Sequence, residues 1–292
     1  RYVHFETGDG PDETTAYTGS LVDRLRTGLS LSGDDTLIAE GTAPLQTGIV
    51  ASLRSGATLV YLCADQTFRT LHRRRSEPLW RAMPDVVDGV VSVSDLAWSW
   101  AAPYLDAPVE IVRPPIMDEK YEQLVTLEPD SPEDGPIVTI GDVRGTKNFG
   151  MLPALADRTG REVVVLGTGH AEEPYAEHPN VTAPGWLSIE DFAATLERAA
   201  LYVQPSAADA CPVATMEAML SGTPVLVSDG VGTKELGARA APLEGFGATV
   251  VESLERPRSE RRTEGEENRK RVEPYTANNQ GNRFREAMER WL

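Results

Sequence analysis

The sequence predicts an α/β protein made of two Rossmann-like, doubly wound parallel-sheet domains, and three observations carry that expectation. Short runs of continuous Val, Leu and Ile alternate with amphipathic stretches along most of the chain. Strands that are apolar on both faces and are followed by helices belong to parallel sheets built from βαβ units. The alternation breaks once, at the acidic, Pro-rich LEPDSPEDGP (127–136), which has the composition of a turn or linker. The length of 292 residues also suits two domains, at roughly 100–200 residues each.

The elements follow in order. The first series places strands at 2–5, 36–39, 58–62, 89–93 and 109–112, with helices at 18–26, 45–53 and 95–104. The opening YVHF ends in a glycine turn, and the other strands are rich in β-branched residues. The second series places strands at 137–140, 162–166, 180–182, 200–204 and 224–227, with helices at 150–158, 188–199 and 213–220. The stretch ERPRSERRTEGEENRKRV (255–272) is charged throughout and reads as a solvated helix or a mobile loop. After it, Phe284, Met288 and Trp291 fall at helical spacing, a stripe that must be buried against something. The expected organisation is a first domain over 1–118, a second over 119–274, and a C-terminal helix at 275–292 packing back on the first.

Composition narrows the function. Asp plus Glu is 45 against 28 Lys plus Arg, a formal net charge of −17, which argues against a nucleic-acid partner. Only four of the basic residues are lysines: Lys120, Lys147, Lys234 and Lys270. An acidic, lysine-poor chain suits a halophilic, salt-rich cytoplasm, where screening is strong. Cys63 and Cys211 lie far apart, and no Cys/His cluster has metal-ligand spacing, so neither a disulfide framework nor a bound metal is expected. No window of about 18 apolar residues predicts a membrane span, and RYVHFETGDG lacks the pattern of a signal peptide. A cytoplasmic protein is expected.

In open parallel sheets ligands bind beyond the carboxyl ends of the strands. Four loops of the second domain lie there: GDVRGTKN (141–148), GTGH (167–170), APGW (183–186) and PSAADACPV (205–213). The first carries two cations, Arg144 and Lys147, and the last leads into a helix through Pro212. A helix N-terminus and two full positive charges suit a diphosphate. Carboxylates suit sugar hydroxyls instead. Glu217, one turn into the helix, is placed for a ribose, and Asp209, in the loop, for a second sugar. The ligand these residues describe is a nucleotide-sugar. Plainer readings stand beside this one: Glu217 as a surface charge, Asp209 as an N-cap or Asx-turn residue, and Asp65 as a strand-end turn residue.

PSAADACPVATMEAMLSGTPVLVSDGVGTKEL (205–236) resembles the donor-site signature of retaining glycosyltransferases of family 4, which have the two-domain GT-B fold. The resemblance extends to the Gly141–Asn148 loop, to 180–185 and to 199–206, and in the first domain to VVSVSDLAWSW (90–100) and VEIVRPPIMDE (109–119). It implies two domains facing a cleft, the first for the sugar acceptor and shortened here, the second for the donor. It implies a hexosyltransferase that needs no bound metal, uses a nucleotide-sugar such as a UDP- or GDP-sugar as co-substrate, and acts on a glycan, lipid-linked or small acceptor with retention of configuration. A peripheral association with the inner face of the membrane goes with a lipid-linked acceptor.

By position, Glu217 would bind ribose, Asp209 the transferred sugar, and Lys147, with Arg144 and Gly141, the diphosphate. The backbone of Ala210, Cys211, Pro212 and Val213 would touch phosphate and sugar, and Gly185 and Trp186 would lie by the base. Asp65 stands where the family often has a catalytic-side His, Asp142 where it usually has Arg, and Asp209 where it usually has Glu. Two alternatives remain: a glycosyltransferase-like protein that binds a nucleotide-sugar without turnover, and a related sugar-nucleotide epimerase or phosphorylase.

Overall fold

A computed structural model describes residues 2–5, 32–81, 84–128 and 131–291. The helix expected at 18–26 and the Gly8-Asp9-Gly10 turn lie outside the described residues. The chain divides into two compact units. One comprises residues 1–113 with 280–292, and the other Pro114–Asn279.

The first unit is a five-stranded sheet in the order β1 (Tyr2–Phe5), β2 (Thr36–Glu40), β3 (Thr58–Cys63), β4 (Gly89–Ser92), β5 (Val109–Ile111). Every pairing is parallel. Helix α1 (Thr42–Ser55) packs on β2 and β3, α2 (Glu77–Arg81) follows a 3₁₀ stretch, and α3 (Asp95–Ala101) follows β4. The Ser94 hydroxyl caps α3 by accepting from the Ala97 amide at 2.9 Å. Because the described strands run in chain order, right-handed crossovers carry these helices to one face. Tyr61 and Phe68 stack edge-on there, and Cys63 donates to the Ala97 carbonyl. The neighbouring residues of the strands point the other way: Val60, Val91 and Val112 form a cluster with Ala287 and Met288, flanked by Phe284 and Trp291. The C-terminal helix therefore covers the face the crossovers leave bare.

The second unit opens with α4 (Asp118–Leu124) and contains a six-stranded parallel sheet: β6 (Ile137–Ile140), β7 (Val163–Leu166), β8 (Val181–Gly185), β9 (Leu201–Gln204), β10 (Val225–Ser228) and β11 (Arg239–Ala241). Their spatial order is β11-β10-β9-β6-β7-β8. The order reverses at β6, so the ends of β6 and β9 form the topological switch point where ligands bind in this class of sheet. Helix α5 (Leu152–Thr159) buries Leu152 and Leu155 against Ile137, Val163, Leu201 and Leu226 on one face. Helices α6 (Ile189–Glu197) and α7 (Val213–Leu220) pack with α4. Helix α8 (Phe246–Glu255) adds Phe246 and Val250 to the α5 side.

Helix α9 (Arg258–Val272) is the helix read at 255–272, but it is not solvated on every side. It packs on α7 and buries Arg261, Gly265, Asn268 and Val272. Those positions keep a helical period, but the stripe is polar. Arg269 donates to the carbonyls of Leu220 at 2.8 Å and Ser221 at 2.7 Å, closing the C-terminus of α7. A Cβ on Gly265 would overlap the carbonyl oxygen of Gly222, so α9 meets the turn that ends α7 backbone to backbone. Helix α10 (Ala277–Glu289) completes the chain, and no described helix is long and apolar enough to cross a membrane.

Candidate functional site

Three of the predicted loops of the second unit lie beyond the carboxyl ends of β6, β7 and β9, whereas β8 runs to Gly185, past the expected end at 182, so that of APGW only Trp186 lies beyond its strand. The β6 and β9 loops are tied together at the switch point, where the Ala207 amide donates to the Thr146 carbonyl at 2.7 Å. Across that junction Lys147 Nζ lies 2.6 Å from Asp209 Oδ2, with each side chain 16% exposed. The residues expected to meet phosphate and sugar thus meet each other. The Asp209 backbone is fixed as well: its amide donates to Gly230 O and its carbonyl accepts from the Gly232 amide, both at 2.9 Å.

Helix α7 begins at this point. Pro212 occupies its N-cap with φ −65°, and no side chain caps the helix. The amides of Val213 and Ala214 find no acceptor among the described residues, leaving donors and the positive end of the helix dipole open. Ala210 and Cys211 are buried, with the Cys211 thiol against the Met216 sulfur.

Glu217 is 4% exposed, which removes the surface-charge reading. Its Oε1 accepts from Lys120 Nζ at 2.8 Å. Both line a cavity of about 240 Å³ together with Gly185, Trp186, Phe192 and Val213. Most of the wall is apolar, and Trp186 stands at it 78% exposed. Beneath, burial pushes the Tyr202 hydroxyl far above its ordinary range, and the charges of Asp209 and Glu217 push it further. That phenol donates to Gln204 Oε1 at 2.6 Å.

The glycine of the first loop is held from below. Gly141 has φ +153°, and the Gly141 carbonyl sits where a Cβ on Gly167 would be, so Gly167, itself at φ +133°, admits no side chain. His170, buried, bonds the same carbonyl through Nε2 at 2.6 Å. A carbonyl only accepts, so Nε2 carries a proton, and Nδ1 lies 2.6 Å from the Tyr175 hydroxyl. That hydroxyl stays protonated, its pKa raised to about 12 by burial and by Glu173.

Two predicted residues have local partners of their own. Arg144 pairs with Asp142 at 3.3 Å in an exposed position, so neighbouring charge offsets it. Asp65 belongs to the first unit, where Oδ1 accepts from the Thr67 amide at 2.8 Å and Oδ2 from the Thr67 hydroxyl at 2.6 Å, an Asx-type turn. Lys120, Phe192 and His170 are the site residues that sequence reasoning missed. The only signal for Lys120 was that lysine is rare in this chain.

Residues 149–244 match the family model of glycosyl transferases group 1. The match contains Asp209, Glu217 and all of α7. Among solved structures the chain is similar to a sucrose-phosphate synthase from Thermosynechococcus elongatus (TM-score 0.73, 15% identity, 92% of this chain and 76% of that one). It is also similar to Anabaena HepE in complex with UDP and glucose (TM-score 0.72, 14% identity, 94% and 84%). A third is the lipopolysaccharide outer core galactosyltransferase WaaB (TM-score 0.71, 15% identity, 93% and 80%). No protein of curated function matches by sequence. The two Rossmann-like units with parallel sheets have the GT-B fold of these structures.

Proposed function

We propose that the protein is a glycosyltransferase that takes a sugar from a nucleotide-sugar and passes it to a glycan, lipid-carrier or small acceptor with retention of configuration and without a metal. The observation that carries this reading is the Lys147–Asp209 pair beside the open N-terminus of α7, with Glu217 one turn further in; Asp209, Glu217 and α7 lie inside the group 1 match, and Lys147 lies two residues before it. In this reading Glu217 accepts from ribose hydroxyls, and Gly185 and Trp186 flank the base. Lys147 exchanges Asp209 for the diphosphate, and Asp209 is released to accept from hydroxyls of the transferred sugar. The negative charge on the departing nucleotide is met by Lys147 and by the amides of Val213 and Ala214, an electrostatic contribution made where charge develops. The backbone of Gly141 and of Ala210–Val213 supplies the walls. Arg144 adds charge only if it leaves Asp142. Asp65, in the first unit, is held in its turn by Thr67 and is assigned no step here.

A UDP-sugar heads the candidate donors because one structural neighbour holds UDP and glucose, and a GDP-sugar follows. A salt-rich cytoplasm, with the enzyme at the inner membrane face for a lipid-linked acceptor, is the setting we infer from the charge. The binding-only reading draws support from the Arg144–Asp142 pair, which weakens the cationic side of the site.

One experiment separates the two. The protein in molar KCl is melted with UDP-, GDP- and ADP-sugars, and release of free nucleotide is followed with and without glycan or lipid-phosphate acceptors. Stabilisation with release, both lost in Glu217→Ala, is the expected result. Stabilisation without release under every condition favours the binding protein, and no stabilisation by any sugar nucleotide sinks both.

A further inference from the structure

The second cation of the site is neither in the glycine loop nor near it in sequence. Lys120 lies on α4 and donates from Nζ to Glu217 Oε1 at 2.8 Å, while its ammonium rests 4.7 Å from the centre of the Phe192 ring. The ring face attracts the cation and limits where it can go. Glu217 is the more buried partner, with its side chain 6% exposed against 29% for Lys120. A carboxylate so enclosed is costly without a compensating cation. Glu217 Oε2 has no hydrogen-bond donor among the described residues, and Glu217 lines the cavity.

We propose that Lys120 is a positioning residue for nucleotide recognition. It anchors Glu217 through Oε1 and leaves Oε2 as the acceptor for a ribose hydroxyl, so that the site reads the intact ribose and rejects nucleotides lacking the 2′-hydroxyl. Phe192 steadies the lysine. The inference rests on the nucleotide-sugar reading and adds to it a residue and a specificity.

The test is calorimetric titration with UDP and with 2′-deoxy-UDP, together with melting of the ligand-free protein. Wild type is expected to bind UDP about tenfold or more tighter than the deoxy form, the scale of one hydrogen bond to a charged group. Lys120→Met should bring the two affinities within about threefold of each other, and Lys120→Arg should restore most of the preference. Phe192→Leu, which keeps the ion pair, should lose part of it. A purely structural role would weaken both ligands equally and leave the ratio unchanged, and that outcome overturns the proposal. Should Lys120→Met not fold, an unchanged ratio in Phe192→Leu decides against it in the same way. Wild type that binds UDP without preferring it over the deoxy form overturns this inference alone, whereas wild type that binds no nucleotide defeats the nucleotide-sugar reading as well.

Discussion

Removing either member of the Lys147–Asp209 contact leaves the other as an uncompensated, mostly enclosed charge. Lys147→Met is therefore expected to lower the unfolding free energy by about 1–3 kcal/mol, a range discounted for partial exposure. The double variant Lys147→Met/Asp209→Leu should recover most of it. Urea unfolding of the single and double variants checks this, and additive losses would show that the two side chains are not coupled. A second residue-scale expectation concerns Cys63, buried beneath α3. Burial lifts its thiol from 9.0 to about 12, with the Ser92 hydrogen bond opposing and Asp65 reinforcing. The folded state holds this proton more tightly, so the contribution is full below about pH 9 and fades as pH climbs toward about 12. Stability measured across that window should fall less steeply in Cys63→Ala, and native Cys63 should resist thiol reagents near neutral pH. At this scale the sequence pointed to Asp209 and Glu217 through one local motif, and to Lys147 through a separate glycine loop that follows a strand. It hid Lys120 because 97 residues separate it from Glu217 and no short-range periodicity joins them.

Helix α9 shows how an element can be legible in outline and opaque in role. Its buried positions, Arg261, Gly265, Asn268 and Val272, follow the helical repeat, but only one is an apolar side chain. A hydropathy reading sees a charged surface; the folded chain uses arginines as caps and a glycine as a contact. Gly265→Ala is expected to cost about 2–3 kcal/mol, because the new methyl meets a backbone carbonyl that cannot rotate aside. Arg269→Met should cost about 1–3 kcal/mol by stripping donors from the carbonyls at the end of α7. Denaturant midpoints report both, and a Gly265→Ala protein as stable as wild type would mean α9 does not touch the turn at Gly222. The strands fared better. A parallel strand buried on both faces is a continuous apolar run, so 137–140 and the helix at 213–220 coincide with Ile137–Ile140 and Val213–Leu220. The short edge strand Arg239–Ala241 carries no such run and went unread.

At the scale of the whole molecule, one sheet keeps strict chain order and the other reverses, and that difference decides where each is covered and where a ligand fits. The reversal at β6 puts the site in the second unit. The chain order of the first makes it dependent on α10, so Met288→Ala is expected to cost about 2–4 kcal/mol. The net charge of −17 sets a further expectation. Self-repulsion between carboxylates weakens as the screening length falls from about 10 Å at 0.1 M to about 3 Å at 1 M salt. The melting temperature should therefore rise steadily with KCl, and a flat or falling trend would count against adaptation to brine. The scarcity of lysine has a practical corollary. Of the four lysine side chains, two grip carboxylates of the candidate site, Lys120 at the cavity and Lys147 at the junction of the β6 and β9 loops. Acylating reagents read by mass spectrometry thus become a nearly built-in occupancy sensor: two tryptic sites shielded when a nucleotide-sugar is bound as proposed, and Lys234 and Lys270 serving as internal standards.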